Sequence, residues 1–376
     1  MSAVPIFVRA ATLGLLMVLA VPAGADPLSL MLPTSNDALL RGDPPSFYQY
    51  TDRNFEGVRS RPWQGGQYGF VRNARRTAAG IVHTRFHEGV DIQALYRNRY
   101  DEPLDTVRTI DDGYVVYVND QAGRSTYGKY VVVEHWWSGS PFYSLYAHLN
   151  TVRVEPGMLV DQGDELGRLG YTGRGINRRR AHLHFEINML LNRNFQHWYD
   201  RNFSSRNWHD VFNGINLAGI DVAELYLALE EDSTLTIEHF LERQTPYYSV
   251  SVPLERVPDI IDRYEWLIDW SELRESGERQ RSWEIVYTHT NVPIGIRPSP
   301  KQVDSFELAY VRMSEISHAL VTSGRVVGQG DRSYLGSSGE RYVSLLTTQG
   351  GRADVVEFDR PRFRTVSETG MRLRPW

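Results

Sequence analysis

The seven residues Ala181–Ile187, with the sequence AHLHFEI, constrain the fold more than any other stretch of this chain. Their polar and apolar side chains alternate strictly, which predicts a β-strand with one buried face. The apolar face would carry Leu183, Phe185 and Ile187. The opposite face would carry Glu186 and two imidazoles, His182 and His184, about 6.6 Å apart along the strand. Because imidazole is a common metal ligand, the strand indicates either a metal site or a polar face that happens to hold two histidines.

A third ligand is available in the sequence HEGVD, which contains His87 and Asp91. On a straight strand these two residues would lie about 13 Å apart, too far to share one ion. Gly89 and Val90 argue against a helix that would place both on one face. Glycine permits a sharp turn, however, and a turn at Gly89 would bring them together. With His184 they would form a set of two histidines and one carboxylate, which leaves a fourth tetrahedral position open, as in catalytic zinc sites.

Composition and charge limit the alternatives. The 376 residues include no cysteine, so neither disulfides nor thiolate ligands are available and a zinc site must use His, Asp or Glu. The net charge of -5 gives no reason to expect nucleic acid as a partner. Residues 1–25 combine one positive residue, a short apolar run and the sequence AGA, which predicts a secretory signal peptide rather than a membrane span. We therefore expect an exported protein, periplasmic or extracellular, without a transmembrane segment in the mature chain.

Residues 61–195 predict a mainly β domain. Short predicted strands recur with turn residues between them, and no stretch is long enough for a helix of several turns. The predicted strands are Gln67–Val71, Tyr114–Val118, Tyr130–Trp136, Phe142–Leu149 and Leu166–Gly170. Ahead of this domain, residues 26–60 are rich in Pro, Asn, Asp and Arg and predict an extended arm on the surface, or a partly disordered one.

Residues 196–376 predict a separate C-terminal α+β region, whose role is either packing or binding. The predicted helices are Asp221–Glu230, Ser233–Arg243 and Asp259–Trp270. The predicted strands are Ser282–His289, Phe306–Met313, Tyr342–Thr347 and Ala353–Phe358.

One further histidine lies in the alternating sequence SLYAHL, where Ser144, Tyr146 and His148 would share a face. A lone histidine on a strand is more often a structural hydrogen-bonding group than a catalytic one. The motifs that accompany it change this interpretation.

In order, HxGxD, YAHL and HLHFE resemble the lysostaphin/LytM-type zinc metallopeptidases, which cut cell-wall peptides; the resemblance covers about residues 67–191. It implies that zinc is the cofactor and that His87, Asp91 and His184 bind it. It also implies that His148 and His182 are the catalytic histidines that activate water and stabilise the transition state. The expected fold is a pair of antiparallel sheets with a groove, and the expected substrate is a peptidoglycan peptide.

Two functions are compatible with this resemblance. The first is a zinc endopeptidase that hydrolyses peptidoglycan cross-links or stem peptides. The second is a non-catalytic relative that uses the groove to bind the cell wall or to activate another wall hydrolase. Degenerate relatives lose zinc ligands, whereas all five motif residues are present in this chain, which favours the enzyme.

The chain departs from the family pattern in the loop that precedes HLHFE, which contains Arg178, Arg179 and Arg180. These guanidinium groups are candidates for binding the carboxylates of stem peptides, or they form a solvated turn paired with local acids. Tyr146 is a further candidate for substrate binding. The 26–60 arm could border the groove and restrain the enzyme, although a passive wrap is at least as plausible.

Overall fold

The computed structural model describes residues 26–349. The predicted signal peptide at 1–25 and the predicted strand at 353–358 lie outside the described residues. Within 26–349, no helix is both long and apolar enough to cross a membrane.

The first part of the chain forms short elements and two hairpins. In chain order they are α1 (Pro44–Phe47), β1 (Arg53–Phe55), β2 (Val58–Ser60), β3 (Gly69–Thr77), β4 (Gly80–His87) and β5 (Val90–Gln93). Strands β1 and β2 pair with each other, as do β3 and β4, whereas β5 joins the main sheet. The β3–β4 hairpin extends well beyond the single strand predicted at Gln67–Val71.

The middle of the chain forms two antiparallel sheets, as predicted. Its elements are β6 (Thr106–Arg108), β7 (Gly113–Asn119), β8 (Lys129–Trp137), β9 (Ser140–Leu149), β10 (Thr151–Val152), β11 (Leu159–Val160), β12 (Glu165–Arg168), β13 (His182–Leu190), α2 (Phe195–Asn202) and β14 (Leu217–Gly219). The larger sheet has the order β11-β7-β8-β9-β13-β14, with β5 also paired to β13, and the smaller sheet has the order β10-β12-β6. Strand β13 is therefore flanked by β9 on one side and by β5 and β14 on the other.

The C-terminal region is the mixed α+β structure that the sequence predicts. Its elements are α3 (Val222–Glu231), α4 (Ile237–Glu242), β15 (Tyr248–Pro253), α5 (Ser271–Ser276), β16 (Ser282–Tyr287), β17 (Pro293–Ser299), β18 (Glu307–Val311), β19 (Val326–Val327), β20 (Tyr334–Leu335) and α6 (Ser337–Leu346). Four strands form a sheet in the order β17-β16-β15-β18. Asp221 caps α3 by accepting a hydrogen bond from the backbone N–H of Glu224, three residues later.

Two predicted elements in this region are wrong. Instead of one helix at Asp259–Trp270, the chain forms two short 3₁₀ turns, Asp259–Asp262 and Glu265–Leu267. Between them, the Tyr264 hydroxyl donates to the carbonyl oxygen of Pro141 at 2.8 Å. The predicted strand at Tyr342–Thr347 is the second half of α6, because its apolar residues cover one buried face of a helix.

A single hydrophobic cluster extends from the N-terminal arm through the main sheet to α6. Side-chain hydrogen bonds also cross from residues before 195 to the C-terminal region. Asn192 Nδ2, for example, donates to the carbonyl oxygen of Thr348 at 3.0 Å. The boundaries at 60/61 and 195/196 stay predictions from the sequence.

The 26–60 arm is packed into the structure rather than disordered. Phe47 and Tyr48 are buried in the common core. Tyr48 forms a β-bridge with Ile92, and the backbone N–H of Gln49 donates to the carbonyl oxygen of Asp91 at 2.7 Å. The arm therefore runs along β5, the strand that carries one of the predicted zinc ligands.

This packing predicts that the arm contributes to stability. Phe47 is 2% exposed, so Phe47→Ala should lower the free energy of unfolding by about 3–5 kcal/mol. The matched control is Val58→Ala, because Val58 lies in the same arm but is 67% exposed. Urea denaturation of both variants checks the difference. Equal, small losses in the two variants would mean that the arm is a peripheral wrap.

Candidate active site

The three predicted zinc ligands converge where β4, β5 and β13 meet. The antiparallel register of β13 with β5 places His184 directly opposite Asp91. His87 ends β4, and the chain turns at Gly89 before β5 begins, as the sequence predicts. A Cβ atom at Gly89 would lie 2.3 Å from the carbonyl oxygen of Phe185. Only glycine allows the turn to approach β13 this closely.

The potential ligand atoms are His87 Nε2, Asp91 Oδ1 and His184 Nδ1. Asp91 Oδ1 lies 3.0 Å from each of the two nitrogens. The nitrogens themselves are 3.0 Å apart. Ligand atoms 2.0–2.1 Å from a tetrahedral zinc ion lie about 3.3 Å from one another, so a small expansion would accommodate zinc. All three residues are buried.

The outer hydrogen bonds of the two imidazoles fit zinc binding. His87 Nδ1 donates to the carbonyl oxygen of Gln67 at 2.7 Å, which leaves Nε2 free to coordinate. His184 Nε2 lies 2.6 Å from Glu186 Oε1 and donates to it, which directs Nδ1 to the ligand position. Zinc-binding histidines nearly always donate their second N–H to a carbonyl or carboxylate in this way. The donor set therefore fits zinc.

The ligands differ in their electrostatic environment. Burial alone would raise the pKa of Asp91, but His87, His182 and Arg72 hold it well below the usual range. Burial lowers the pKa of His87, which favours the neutral imidazole that a metal needs. Burial also opposes the charge of His184, but hydrogen bonds to Asp91 and Glu186 raise its pKa to about 10. A zinc ion at Nδ1 of His184 must therefore compete with a proton.

Glu186 and Tyr127 complete the support of His184. Glu186 is fully buried and accepts from the Tyr127 hydroxyl at 2.7 Å and, through its other oxygen, from Asn188 Nδ2 at 2.9 Å. The alternating sequence of β13 predicted that Glu186 lies on the same face of the strand as His182 and His184. No sequence pattern pointed to Tyr127, which comes from the loop between β7 and β8, 59 residues away from Glu186.

His148 and His182 lie beside the ligands, with ring centroids 4.9 Å apart. His148 Nδ1 donates to the carbonyl oxygen of Thr172 at 2.9 Å, and His182 Nδ1 donates to that of Arg180 at 2.7 Å. Each therefore keeps Nε2 available to a substrate or water molecule. The Nε2 atom of His182 lies 3.4 Å from Asp91 Oδ1.

The backbone of His148 is unusual. Its φ of +62° lies in the left-handed region, which non-glycine residues seldom adopt and which is enriched at functional sites. Burial, followed by the neighbouring charges of His182 and His184, lowers the pKa of His148 well below its ordinary value. His148 is consequently neutral at pH 7 and able to accept a proton.

The structure corrects the placement of Tyr146, for which the alternation of β9 predicted the same face as His148. Tyr146 is fully buried, and its hydroxyl accepts from the backbone N–H of Ile110 at 3.0 Å. In the β9–β13 register Tyr146 pairs with Phe185, a core residue. The left-handed backbone of His148 ends the alternation, so Tyr146 faces the core and is not accessible to a substrate.

The three arginines of the loop before β13 have different environments. Arg178 pairs with Glu102 at 2.7 Å, in agreement with the interpretation as a locally paired turn. Arg180 is partly buried, and its carbonyl oxygen accepts the hydrogen bond from His182. Arg179 is exposed, and its guanidinium makes no hydrogen bond or ion pair to any residue of 26–349.

Arg179 borders an open cavity of about 700 Å³. The cavity is lined by Asp101, Tyr171, Ile176, Asn177, Arg178 and Arg179. The loop that lines the cavity is followed in sequence by His182, but none of the clustered histidines lines the cavity itself.

A site with two histidines, one carboxylate and further histidines beside them is typical of zinc metallopeptidases. Residues 85–196 match the model of Peptidase family M23. The matched segment includes all three ligands as well as His148 and His182. Residues 85–196 are therefore a segment of the kind found in peptidase family M23, the lysostaphin/LytM-type zinc metallopeptidases.

The similar proteins match parts of the chain. The cell division protein DipM of Caulobacter vibrioides is 37% identical over 76 residues, which are 20% of this chain and 11% of DipM. The catalytic domain of lysostaphin from Staphylococcus simulans is 23% identical, with a TM-score of 0.23, covering 32% of this chain and 75% of that domain. A zinc-containing peptidase from Vibrio cholerae is 24% identical, with a TM-score of 0.22, covering 37% of this chain and 43% of the other.

The ligand geometry predicts that His184→Ala and Asp91→Ala each abolish zinc retention. Two remaining protein ligands are too few to hold zinc in an open site. Metal analysis after dialysis checks this, with His83→Ala as the control because His83 lies on the same strand as His87 but outside the cluster. Full zinc occupancy in either ligand variant would remove that residue from the ligand set.

Proposed function

We propose that this protein is an exported zinc metalloendopeptidase that hydrolyses peptide bonds in peptidoglycan cross-links or stem peptides. The observation that carries the proposal is the convergence of His87, Asp91 and His184, with the imidazoles of His148 and His182 beside them. The match of residues 85–196 to the model of Peptidase family M23 supports a peptidoglycan peptide as substrate. Export, predicted from residues 1–25, agrees with a substrate in the cell envelope.

The proposed chemistry divides between the ion and the histidines. Bound zinc would lower the pKa of a water molecule and polarise the scissile carbonyl group. His148, held by Thr172 and neutral at pH 7, would take the proton of the attacking water on Nε2 and later deliver it to the leaving amine. His182, fixed through Nδ1 by the Arg180 carbonyl, would in its doubly protonated, imidazolium form donate from Nε2 to the developing oxyanion.

The non-catalytic alternative, a groove that only binds the wall or activates another hydrolase, has less support. A binding groove has no need of two further histidines whose tautomers are fixed by backbone carbonyls. Mass spectrometry of purified sacculi before and after incubation with the protein distinguishes the two functions. An enzyme releases new peptide termini, and a zinc chelator stops their release. Intact muropeptides after incubation with zinc-loaded protein would favour the binding function.

The roles of the histidines predict a separation of zinc binding from activity. His148→Ala should retain zinc, because His148 is not a ligand, yet kcat/KM should fall by about 10²–10⁴-fold, the usual contribution of a general base. Zinc analysis and steady-state kinetics on the same preparation test both parts. Near-normal turnover would show that His148 has only a structural role.

Arg179 is our candidate for recognising the free carboxylates of a stem peptide. Losing one charge-assisted hydrogen bond should reduce kcat/KM for Arg179→Gln about tenfold at low salt. The loss should shrink as ionic strength rises, and it should be smaller on substrates with amidated carboxylates. Arg75→Gln is the matched control, because Arg75 is also exposed but lies on β3. If the two variants behave alike on both substrates, this loop does not select acidic peptides.

A further inference from the structure

Arg72, outside the segment matched to the family, contacts the carboxylate ligand directly. Its Nη2 atom donates to Asp91 Oδ2 at 2.6 Å. The oxygen of Asp91 that faces His87 and His184 is the other one, Oδ1. The Arg72 side chain is 23% exposed, whereas Asp91 is buried, so this ion pair is largely shielded from solvent.

The backbone of β3 is arranged to direct Arg72 to this position. In the β3–β4 register Phe70 pairs with Phe86, but Arg72 pairs with Arg85, so Val71 is an extra residue in β3. Such a β-bulge changes which way the following side chain points, and bulges are over-represented next to active sites.

A second hydrogen bond holds the Arg72 guanidinium through Nε, the nitrogen that does not contact Asp91. Arg72 Nε donates to the carbonyl oxygen of Gly65 at 2.7 Å. Gly65 belongs to the 3₁₀ turn Trp63–Gly66, which packs against the N-terminal arm. A Cβ atom at Gly65 would lie 1.9 Å from Thr51 Oγ1, and one at Gly66 would lie 2.5 Å from the carbonyl oxygen of Gln49. The two glycines thus allow the turn and the arm to lie in direct contact.

The arm also holds the backbone of the ligand strand. The N–H of Gln49 donates to the carbonyl oxygen of Asp91 at 2.7 Å, and the Tyr48 ring stacks on Trp63 at 5.7 Å. Asp91 is therefore restrained in two ways: its backbone by the arm, and its side chain by Arg72, which the turn and the arm support.

We propose that Arg72 is a positioning residue of the metal site. It occupies Oδ2 of Asp91 so that Asp91 presents Oδ1 alone to the ion, and the contact between the arm and the Trp63–Gly66 turn keeps it in place. This role rests on the zinc site of the proposed function. It assigns to residues 48–72, ahead of the matched segment, a part in metal binding.

Two effects of Arg72 on zinc affinity have opposite signs. A positive charge close to the ion repels it, so its removal by that effect alone would tighten zinc binding. A fixed carboxylate binds better than a mobile one, and loss of an outer hydrogen-bond partner of a metal ligand typically weakens metal binding about 10–100-fold. The positioning role requires that the second effect is the larger.

The test is the zinc dissociation constant of the metal-free protein, measured by competition with a chelating dye at a temperature where circular dichroism shows every variant folded. Arg72→Gln should bind zinc about 10–100-fold more weakly than the parent. Arg72→Lys keeps the charge but cannot span Gly65 and Asp91, so we expect an intermediate loss. Arg76→Gln is the matched control, since Arg76 lies on the same strand and pairs with exposed Glu56 through two 2.6 Å hydrogen bonds.

A second pair of variants tests the support from the arm. Gly65→Ala should weaken zinc binding because the new methyl group meets Thr51 and displaces the turn. Adding Thr51→Ala, which removes Oγ1 and Cγ2, should recover much of the lost affinity.

The outcomes separate this role from the proposed function. Unchanged or tighter zinc binding by Arg72→Gln, in a protein whose parent binds zinc, overturns the positioning role and leaves the proposed function standing. A parent protein that binds no zinc overturns both. A fall in thermal stability without a change in zinc affinity shows that Arg72 is only a structural residue, and likewise overturns the positioning role.

Discussion

The pairing of β5 with β13 in one register is the constraint on which the candidate site depends. It sets Asp91 opposite His184, where directly opposed side chains have Cβ atoms about 4.5–5.5 Å apart. A slip of one residue would turn either side chain to the other face of the sheet and dismantle the ligand set. The register is stabilised by the apolar faces of both strands, since Ile92 and Leu183 are buried opposite each other. The requirement for glycine at position 89 follows from the same pairing, because the turn from His87 touches the backbone of β13.

Much of the site could be predicted because its signals are local. Strict alternation fixed which residues of β13 share a face, and a glycine between His87 and Asp91 was enough to indicate a turn. The position of Tyr146 could not be predicted in this way. Alternation assumes a regular strand. The left-handed backbone at His148, near the end of β9, breaks that regularity. Arg72, which contacts the ligand Asp91, and Tyr127, which contacts Glu186, were also missed. Contacts between residues far apart in the sequence produce no periodic pattern in it.

The C-terminal region shows where local patterns are insufficient. The sequence predicted one helix at Asp259–Trp270. Instead, the Tyr264 hydroxyl accepts a hydrogen bond from the N–H of Leu190 and donates one to the carbonyl of Pro141, in two distant strands. These tertiary hydrogen bonds to buried backbone groups prevail over a helix propensity that differs by only a few tenths of a kcal/mol per residue. By contrast, α3 was predicted correctly, because a capping aspartate and an apolar face both specify its start.

The four clustered histidines have one feature in common. In each of them, one ring nitrogen donates a hydrogen bond to a fixed acceptor, which leaves the other nitrogen for an ion, a water molecule or a substrate. Three acceptors are backbone carbonyls, those of Gln67, Thr172 and Arg180, and the fourth is the Glu186 carboxylate. Backbone carbonyls accept but never donate, so three of the four tautomers are determined before any ion or substrate binds. Only His184 has a carboxylate as this acceptor, and hydrogen bonds to Asp91 and Glu186 raise its pKa to about 10, so zinc must compete with a proton for this imidazole.

The positions of these acceptors in the sequence show that the site depends on residues outside the segment matched to the family. Thr172, Arg180 and Glu186 lie within the segment matched to the family, but Gln67 does not, and neither does Arg72. Gln67 immediately follows the Trp63–Gly66 turn that packs against the arm. The segment 48–72 thus orients one histidine ligand and restrains the carboxylate ligand. The proposed role of Arg72 therefore makes this segment a part of the metal site, together with the strands that carry the ligands.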